Sequence, residues 1–97
     1  MSARTASTLS ETLARWYLGL SMKDLPEDIL DRTKMHVLDI LGLALAGAPR
    51  EPGRRVREAA TTLYRGGDCR ILGFGDQVGM LGAALANGTM AHDMEYD

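Results

Sequence analysis

Residues 37–46 read VLDILGLALA, a stretch in which Asp39 is the only charged residue. No helix breaker stronger than Gly42 occurs between Asp24 and Gly47, so we predict a single helix of roughly 21 residues there. A helix that is apolar on every face has to be buried on all sides. The rest of the chain offers two or three short helices, which can cover about half of that circumference. We therefore expect this chain to self-associate or to belong to a larger protein.

Two capping signals predict where the first helices begin. Thr8 followed by Glu11 fits a capping box, and it opens an amphipathic run toward the centre of the chain. The apolar residues of this run recur at helical spacing and share one face: Leu9, Leu13, Trp16, Tyr17 and Leu20. Asp24 followed by Glu27 fits a second capping box, with Pro26 in the first turn of the long helix.

Downstream of the long helix the chain reads as mainly helical. A proline-containing link at residues 48–53 precedes a third helix that runs to about Tyr64. Residues 69–74 have the length and composition of one short extended segment. A last helix, rich in glycine and alanine, starts near Val78. The predicted fold class is mainly α, with about four helices and one short extended segment in a single domain.

The composition excludes several classes of protein. Apolar residues make up 45% and charged residues 25% of the chain, as in an ordinary soluble domain. A formal charge of −2 does not favour a nucleic-acid partner. The single cysteine, Cys69, cannot form an internal disulfide, which favours a reducing compartment. The longest apolar stretch, residues 40–48, is about half the length that a membrane span needs. We expect a soluble, cytoplasmic protein with no membrane partner.

Three further patterns suggest chemistry, but each has a simpler explanation that we favour. Residues 73–79 read GFGDQVG, and glycine loops can bind phosphate, but the spacing favours a plain turn. Residues 50–70 hold six arginines and three acids, which suits an anion or a solvated face. His36 lies three residues before Asp39, a pairing that is useful in catalysis and more common as a structural contact.

The last six residues form a denser cluster of polar groups. Residues 92–97 read HDMEYD and follow the small-residue helix directly. If the helix continues, His92 meets Glu95 and Tyr96, and the three groups could act as general acids and bases. A calcium loop would need a glycine and a distal glutamate that are missing, and zinc would need more nitrogen or sulfur ligands. We predict no metal site here, and a solvated chain end stays open as the alternative.

Residues 83–97, AALANGTMAHDMEYD, are similar to the segment AAxxNGTxAHxxDxDD of the MmgE/PrpD family. That family includes 2-methylcitrate dehydratase, cis-aconitate decarboxylase and iminodisuccinate epimerase. Two more segments resemble it, residues 38–47 and the turn at residues 71–75. The order and spacing of these segments agree with the family from Leu9 onward.

The resemblance implies the fold and the activity. It implies that residues 1–97 are the N-terminal portion of a large all-helical domain, and that the smaller α+β lid domain is absent from them. It also implies a homodimer. The implied reaction removes a proton next to a carboxylate of a small di- or tricarboxylate, as a lyase or isomerase similar to 2-methylcitrate dehydratase, with no metal and no organic cofactor.

The resemblance also assigns roles to individual residues. It implies that His92, Glu95 and Asp97 are catalytic and that Asn87 binds the substrate. Glu95 stands where the family usually has an aspartate, one methylene shorter. Most other catalytic groups of the family follow this segment, so we expect residues 1–97 to be inactive alone. The alternative is a small helical module that self-associates and has no catalytic activity.

Overall fold

A computed structural model describes residues 6–94 of the 97-residue chain. The chain divides into two compact units, residues 1–32 and residues 33–97. The described residues form four α-helices and one two-stranded antiparallel sheet: α1 (Leu9–Gly19), α2 (Glu27–Gly47), α3 (Glu51–Leu63), β1 (Cys69–Arg70), β2 (Gln77–Val78) and α4 (Met80–Asp93). This arrangement confirms the predicted mainly helical fold with about four helices.

Helix α1 begins with the predicted capping box. The Thr8 hydroxyl accepts a hydrogen bond from the Glu11 amide at 3.1 Å, and the Glu11 carboxylate accepts one from the Thr8 amide at 3.3 Å. These bonds satisfy two of the amide groups that the start of a helix leaves without partners. No residue of α1 is buried, although its apolar residues share one face.

The predicted cap at the start of α2 was wrong. Residues 22–24 form a single 3₁₀ turn, and the Asp24 carboxylate accepts hydrogen bonds from the Ser21 amide at 2.8 Å and from its hydroxyl at 3.1 Å. The α-helix then begins at Glu27, where the Pro26 carbonyl accepts the first helical amides. Asp24 therefore caps the short turn before the long helix, through the amide and the hydroxyl of Ser21.

The long helix has the predicted length of 21 residues, but the described chain covers little of its apolar half. Only Ala44 and Gly47 are buried. Leu38 is 68% exposed and Leu45 is 53% exposed. Within residues 6–94, α2 is therefore not buried on all sides as expected. The prediction that a second copy or a larger protein covers it stays a prediction. No helix in this range is long and apolar enough to cross a membrane.

The core of the second unit lies between α3, α4, the hairpin and the end of α2. The largest side chains that are fully buried are Ile71, Val78 and Met90. The other buried apolar residues are small: Ala44, Ala48, Ala60, Ala83 and Ala86. Small residues let helix backbones approach closely, so the glycine- and alanine-rich α4 can pack tightly here.

The closest approach of two helices occurs at the end of α2. A Cβ atom added at Gly47 would overlap the backbone carbonyl of Met90 in α4. A Cβ atom added at Gly53 would likewise overlap the carbonyl oxygen of Gly47. The junction of α2 and α3 therefore packs backbone against backbone, and it fits against α4 only because these positions lack side chains.

The extended segment is shorter than predicted and forms half of a hairpin. Cys69 pairs with Val78 and Arg70 pairs with Gln77, so only two residues of the predicted segment 69–74 form a strand. The chain then turns, with Gly73 at a φ of +83°, a conformation that favours glycine. The turn returns the chain as an antiparallel strand, which is not the strand–loop–helix geometry of a dinucleotide site.

Candidate active site

A groove of about 590 Å³ lies on the exposed side of α4 beside the start of α3. One residue of α3 and six residues of α4 line it: Pro52, Ala84, Leu85, Gly88, Thr89, His92 and Asp93. We call it the α4 groove. The groove residues from the first turns of α4 are apolar, and the polar groove residues lie toward the end of the helix. An arrangement of this kind can hold the carbon chain of a small molecule at one end and its polar groups at the other.

The periodicity of α4 explains why these residues share one face. Leu85, Gly88 and His92 follow one another at helical spacings of three and four residues. The buried residues Ala86 and Met90 lie on another face and pack into the core. The helix therefore turns its apolar stripe toward α3 and leaves His92 exposed in its last turn.

An ion pair fixes the end of α4. Arg50, just before α3, donates a hydrogen bond from Nε to the carboxylate of Asp93, 43 residues away in the sequence. The Asp93 side chain is 13% exposed, whereas that of Arg50 is 52% exposed. Sequence reasoning missed this pair, because no local signal links residues so far apart. Its effect is to hold the groove wall next to His92.

The groove offers two kinds of polar group besides Asp93. The Thr89 hydroxyl donates to the Leu85 carbonyl at 2.8 Å, so its lone pairs can still accept a hydrogen bond from a ligand. His92 contributes an imidazole, a side chain that serves as a general acid or base in many enzymes. A groove with these groups can bind a small polar molecule and transfer a proton to or from it.

Asn87 lies on α4 but does not line the groove. Its side-chain oxygen accepts a hydrogen bond from the Leu72 amide at 2.8 Å, and its nitrogen donates to the Arg70 carbonyl at 3.0 Å. Both ends of the side chain thus bind the backbone of the hairpin. The predicted substrate contact of Asn87 stays a prediction.

The other predicted catalytic residues are only partly placed. Glu95 and Asp97 lie outside the described residues 6–94. His36 and Asp39, for which we favoured a structural contact, are exposed on α2, and neither side chain has a hydrogen bond or an ion pair with another described residue, so the structure does not show that contact. Within the same range, no three His, Cys, Asp or Glu side chains come together in a way that could hold a metal ion.

The arginine-rich stretch is partly neutralised by acids from elsewhere. Arg57 donates to the Asp76 carboxylate from Nε at 2.5 Å and from Nη2 at 3.2 Å, and its guanidinium lies 4.5 Å from the centre of the Phe74 ring. Arg55 pairs with Glu51 one turn earlier on the exposed face of α3. With Arg50 held by Asp93, the stretch is closer to a set of structural ion pairs than to an anion site.

The ion pair between Arg57 and Asp76 gives a testable pH dependence. The hydrogen bonds from Arg57 lower the pKa of Asp76 below its ordinary value. A carboxyl group with a lowered pKa stabilises the fold fully above about pH 4, and this stabilisation is lost as the pH falls through the lower, folded-state pKa. We expect Asp76→Asn to lower the urea midpoint at pH 7, by an amount that shrinks below about pH 4.

The exposed Asp68 provides the control for this measurement, since its side chain has no hydrogen bond or ion pair with another described residue. Asp68→Asn should leave the urea midpoint nearly unchanged at both pH values. Equal midpoints for Asp76→Asn and the unsubstituted chain at pH 7 would contradict the role of the pair.

The fold and the groove define a mainly helical domain whose last described helix carries His92 and Asp93 at one end of a groove. Residues 11–97 match the MmgE/PrpD N-terminal domain. The chain therefore belongs to the MmgE/PrpD family, which confirms the resemblance found in residues 83–97.

Two relatives illustrate the similarity. The chain is 29% identical over 91 residues to a cis-aconitate decarboxylase of Aspergillus terreus, an alignment that covers 94% of this chain and 19% of that protein. It is 28% identical over 85 residues to a cis-aconitate decarboxylase-like protein of Aspergillus oryzae, which covers 88% of this chain and 18% of that protein. The chain thus spans about a fifth of the length of these relatives. No solved structure matches it.

Proposed function

We propose that residues 1–97 supply the N-terminal part of a cofactor-independent lyase or isomerase that acts on small di- or tricarboxylates. The observation that carries this proposal is the match of residues 11–97 to the N-terminal domain of the MmgE/PrpD family. The relatives named as cis-aconitate decarboxylases favour cis-aconitate as the first substrate to test. The resemblance of the closing segment alone suggested 2-methylcitrate, which is the second.

In this proposal His92 takes part in proton transfer. Removal of a proton next to a carboxylate needs a base within hydrogen-bonding reach of that proton. A neutral imidazole can accept the proton and can later return it. His92 lines the α4 groove and is exposed, which places it where a small substrate could reach it. We propose Glu95 and Asp97, which follow it, as the accompanying catalytic carboxylates.

We further propose that the site is incomplete without other parts of the protein. The groove is formed by α4 and the start of α3, and none of the described residues that line it is a lysine or an arginine, the cations that two or three substrate carboxylates need. The exposed apolar residues of α2 support a larger helical domain, since a face of this kind is normally covered. The complete protein would then be a cytoplasmic homodimer.

The alternative is a small helical module that self-associates through α2 and has no activity. The exposure of Leu38, Leu41 and Leu45 favours this reading equally well, because a second copy could cover the same face. The two proposals differ in what they predict for catalysis, so an activity assay separates them.

We expect purified residues 1–97 to show no saturable turnover of cis-aconitate or 2-methylcitrate. Proton NMR of the substrate measures this turnover. The product of the complete reading frame that contains these residues should convert at least one of these compounds. In that product, His92→Ala should lower kcat by about 10²–10⁴-fold, the usual contribution of a general acid or base. His36→Ala, which removes the other histidine of the chain, should leave kcat unchanged.

Each result decides between the proposals. Turnover by residues 1–97 alone would contradict the incomplete site. A complete product that converts neither compound would count against the lyase or isomerase function. A reading frame that stops after Asp97 would favour the self-associating module. An equal loss of kcat in His92→Ala and His36→Ala would show that His92 has no specific role in the proton transfer.

A further inference from the structure

We infer that Asn87 is a positioning residue, which holds the β1–β2 hairpin on α4 and so fixes the wall of the α4 groove. In this role it does not contact the substrate. The inference rests on the proposed function only where it takes the α4 groove as the substrate site. The attachment of the hairpin to the helix can be tested without any substrate.

The hydrogen bonds of Asn87 tie both ends of its side-chain amide to the hairpin. Its Oδ1 accepts from the Leu72 amide at 2.8 Å, and its Nδ2 donates to the Arg70 carbonyl at 3.0 Å. These two peptide groups flank Ile71, which is fully buried. The Arg70 carbonyl and the Leu72 amide lie where β1 ends and the turn begins, so the hydrogen bonds between β1 and β2 do not satisfy them. The Asn87 side chain binds them instead, as a neighbouring strand would.

The direction of Asn87 on the helix agrees with this role. Gly88 lines the groove, and Asn87 precedes it by one residue, a rotation of about 100° around the helix axis. The side chain of Asn87 therefore leaves the helix on the side of the hairpin, away from the groove. A substrate in the groove would meet Ala84, Gly88 and His92 before it met this amide.

The hairpin connects the two helices that form the groove. On one side Asn87 of α4 binds Arg70 and Leu72 of the hairpin. On the other side Asp76 of the hairpin binds Arg57 of α3. The two helices are thus linked through the hairpin as well as by direct packing. Loss of the Asn87 bonds would release α4 from this link next to the turn that carries Thr89 and His92.

The geometry requires the side chain of asparagine. An aspartate would keep the acceptor for the Leu72 amide but would place a negative oxygen against the Arg70 carbonyl. A glutamine has the same amide on a longer stem, so it could not reach both groups from the same backbone position. An alanine would leave the part-buried Leu72 amide without its acceptor, and such a group without a partner costs more than the bond itself contributes, whereas the exposed Arg70 carbonyl could bind water instead.

The test compares Asn87→Ala, Asn87→Gln and Asn87→Asp with the unsubstituted chain in the absence of substrate. We expect exchange of the Leu72 amide to rise by roughly fivefold or more in the Ala and Gln variants. The rise should be much smaller in the Asp variant, which keeps the acceptor. The ring resonances of His92 should shift in all three. In the unsubstituted chain, a scalar coupling should join the Leu72 nitrogen to the side-chain carbonyl carbon of Asn87.

Val56→Ala is the control. Val56 packs against the core, and neither hydrogen bond of the Asn87 side chain involves it. It should lower stability and leave the His92 resonances in place, which separates positioning from general destabilisation. Unchanged Leu72 exchange and unchanged His92 resonances in the Asn87 variants would overturn the inference. So would an absent coupling in the unsubstituted chain, even if every variant failed to fold. Neither result depends on whether the protein is a lyase.

Discussion

Replacement of Gly47 by alanine should lower the free energy of unfolding by about 3 kcal/mol or more, at the upper end of the cost of overpacking. The added Cβ would overlap the backbone carbonyl of Met90, and a backbone cannot rotate away as a side chain can. Small domains have about 5–15 kcal/mol of stability in total, so the variant should be largely unfolded on moderate heating. Urea unfolding followed by far-UV circular dichroism measures the loss.

Gly42 provides a matched control on the same helix. A Cβ atom added there would meet nothing within 4 Å. Gly42→Ala should therefore stabilise the chain by about 0.5–1 kcal/mol, because alanine restricts the unfolded backbone and favours a helix. If the two variants changed stability equally, the close approach between α2 and α4 would not exist as described.

Replacement of Met90 by alanine should cost about 2–5 kcal/mol, the range for large-to-small substitutions in a core. Met90 is fully buried, so its removal leaves a cavity among the small residues around it, and small neighbours have few atoms with which to fill the space. Met90→Leu conserves volume better and should cost less than about 1.5 kcal/mol.

The same helix holds a methionine for comparison. Met80 is 74% exposed, and Met80→Ala should change stability by no more than about 0.5 kcal/mol. Thermal and urea unfolding of the three variants gives the order directly. A loss in Met80→Ala as large as that in Met90→Ala would show that the burial of α4 is assigned to the wrong face.

The features that could be predicted from the sequence are local ones. The capping box at Thr8 and Glu11 is formed by residues three positions apart, so the pattern alone defines the contact. The length of α2 followed from the absence of a breaker before Gly47. Asp24 shows the limit of such reasoning, since two local donors competed for its carboxylate and the Ser21 turn bound it.

The features that could not be predicted depend on distant residues. Arg57 and Asp76 are 19 positions apart, and Arg50 and Asp93 are 43 apart. The composition of residues 50–70 therefore overstated how much positive charge is available to a ligand. Asn87 belonged to a recognised motif, but its hairpin partners depend on how β1 lies across α4. For the candidate site, the sequence pattern left open whether the last helix continues through His92. The structure shows that it does, and that the start of α3 lies beside it in the groove.

The contact between Gly47 and the backbone of Met90 also limits how this protein can diverge over evolution. At Gly42, by contrast, an added Cβ atom would meet no other described atom within 4 Å, so the described fold accepts an alanine there. At Gly47 every one-step mutation adds at least a Cβ atom, so descendants must either keep the glycine or move two helices apart together. A lineage that lost it would need compensating changes in α4, the helix that carries His92. Substitutions at the junction of α2 and α3 and substitutions in the helix of the candidate site are therefore expected to occur together during evolution.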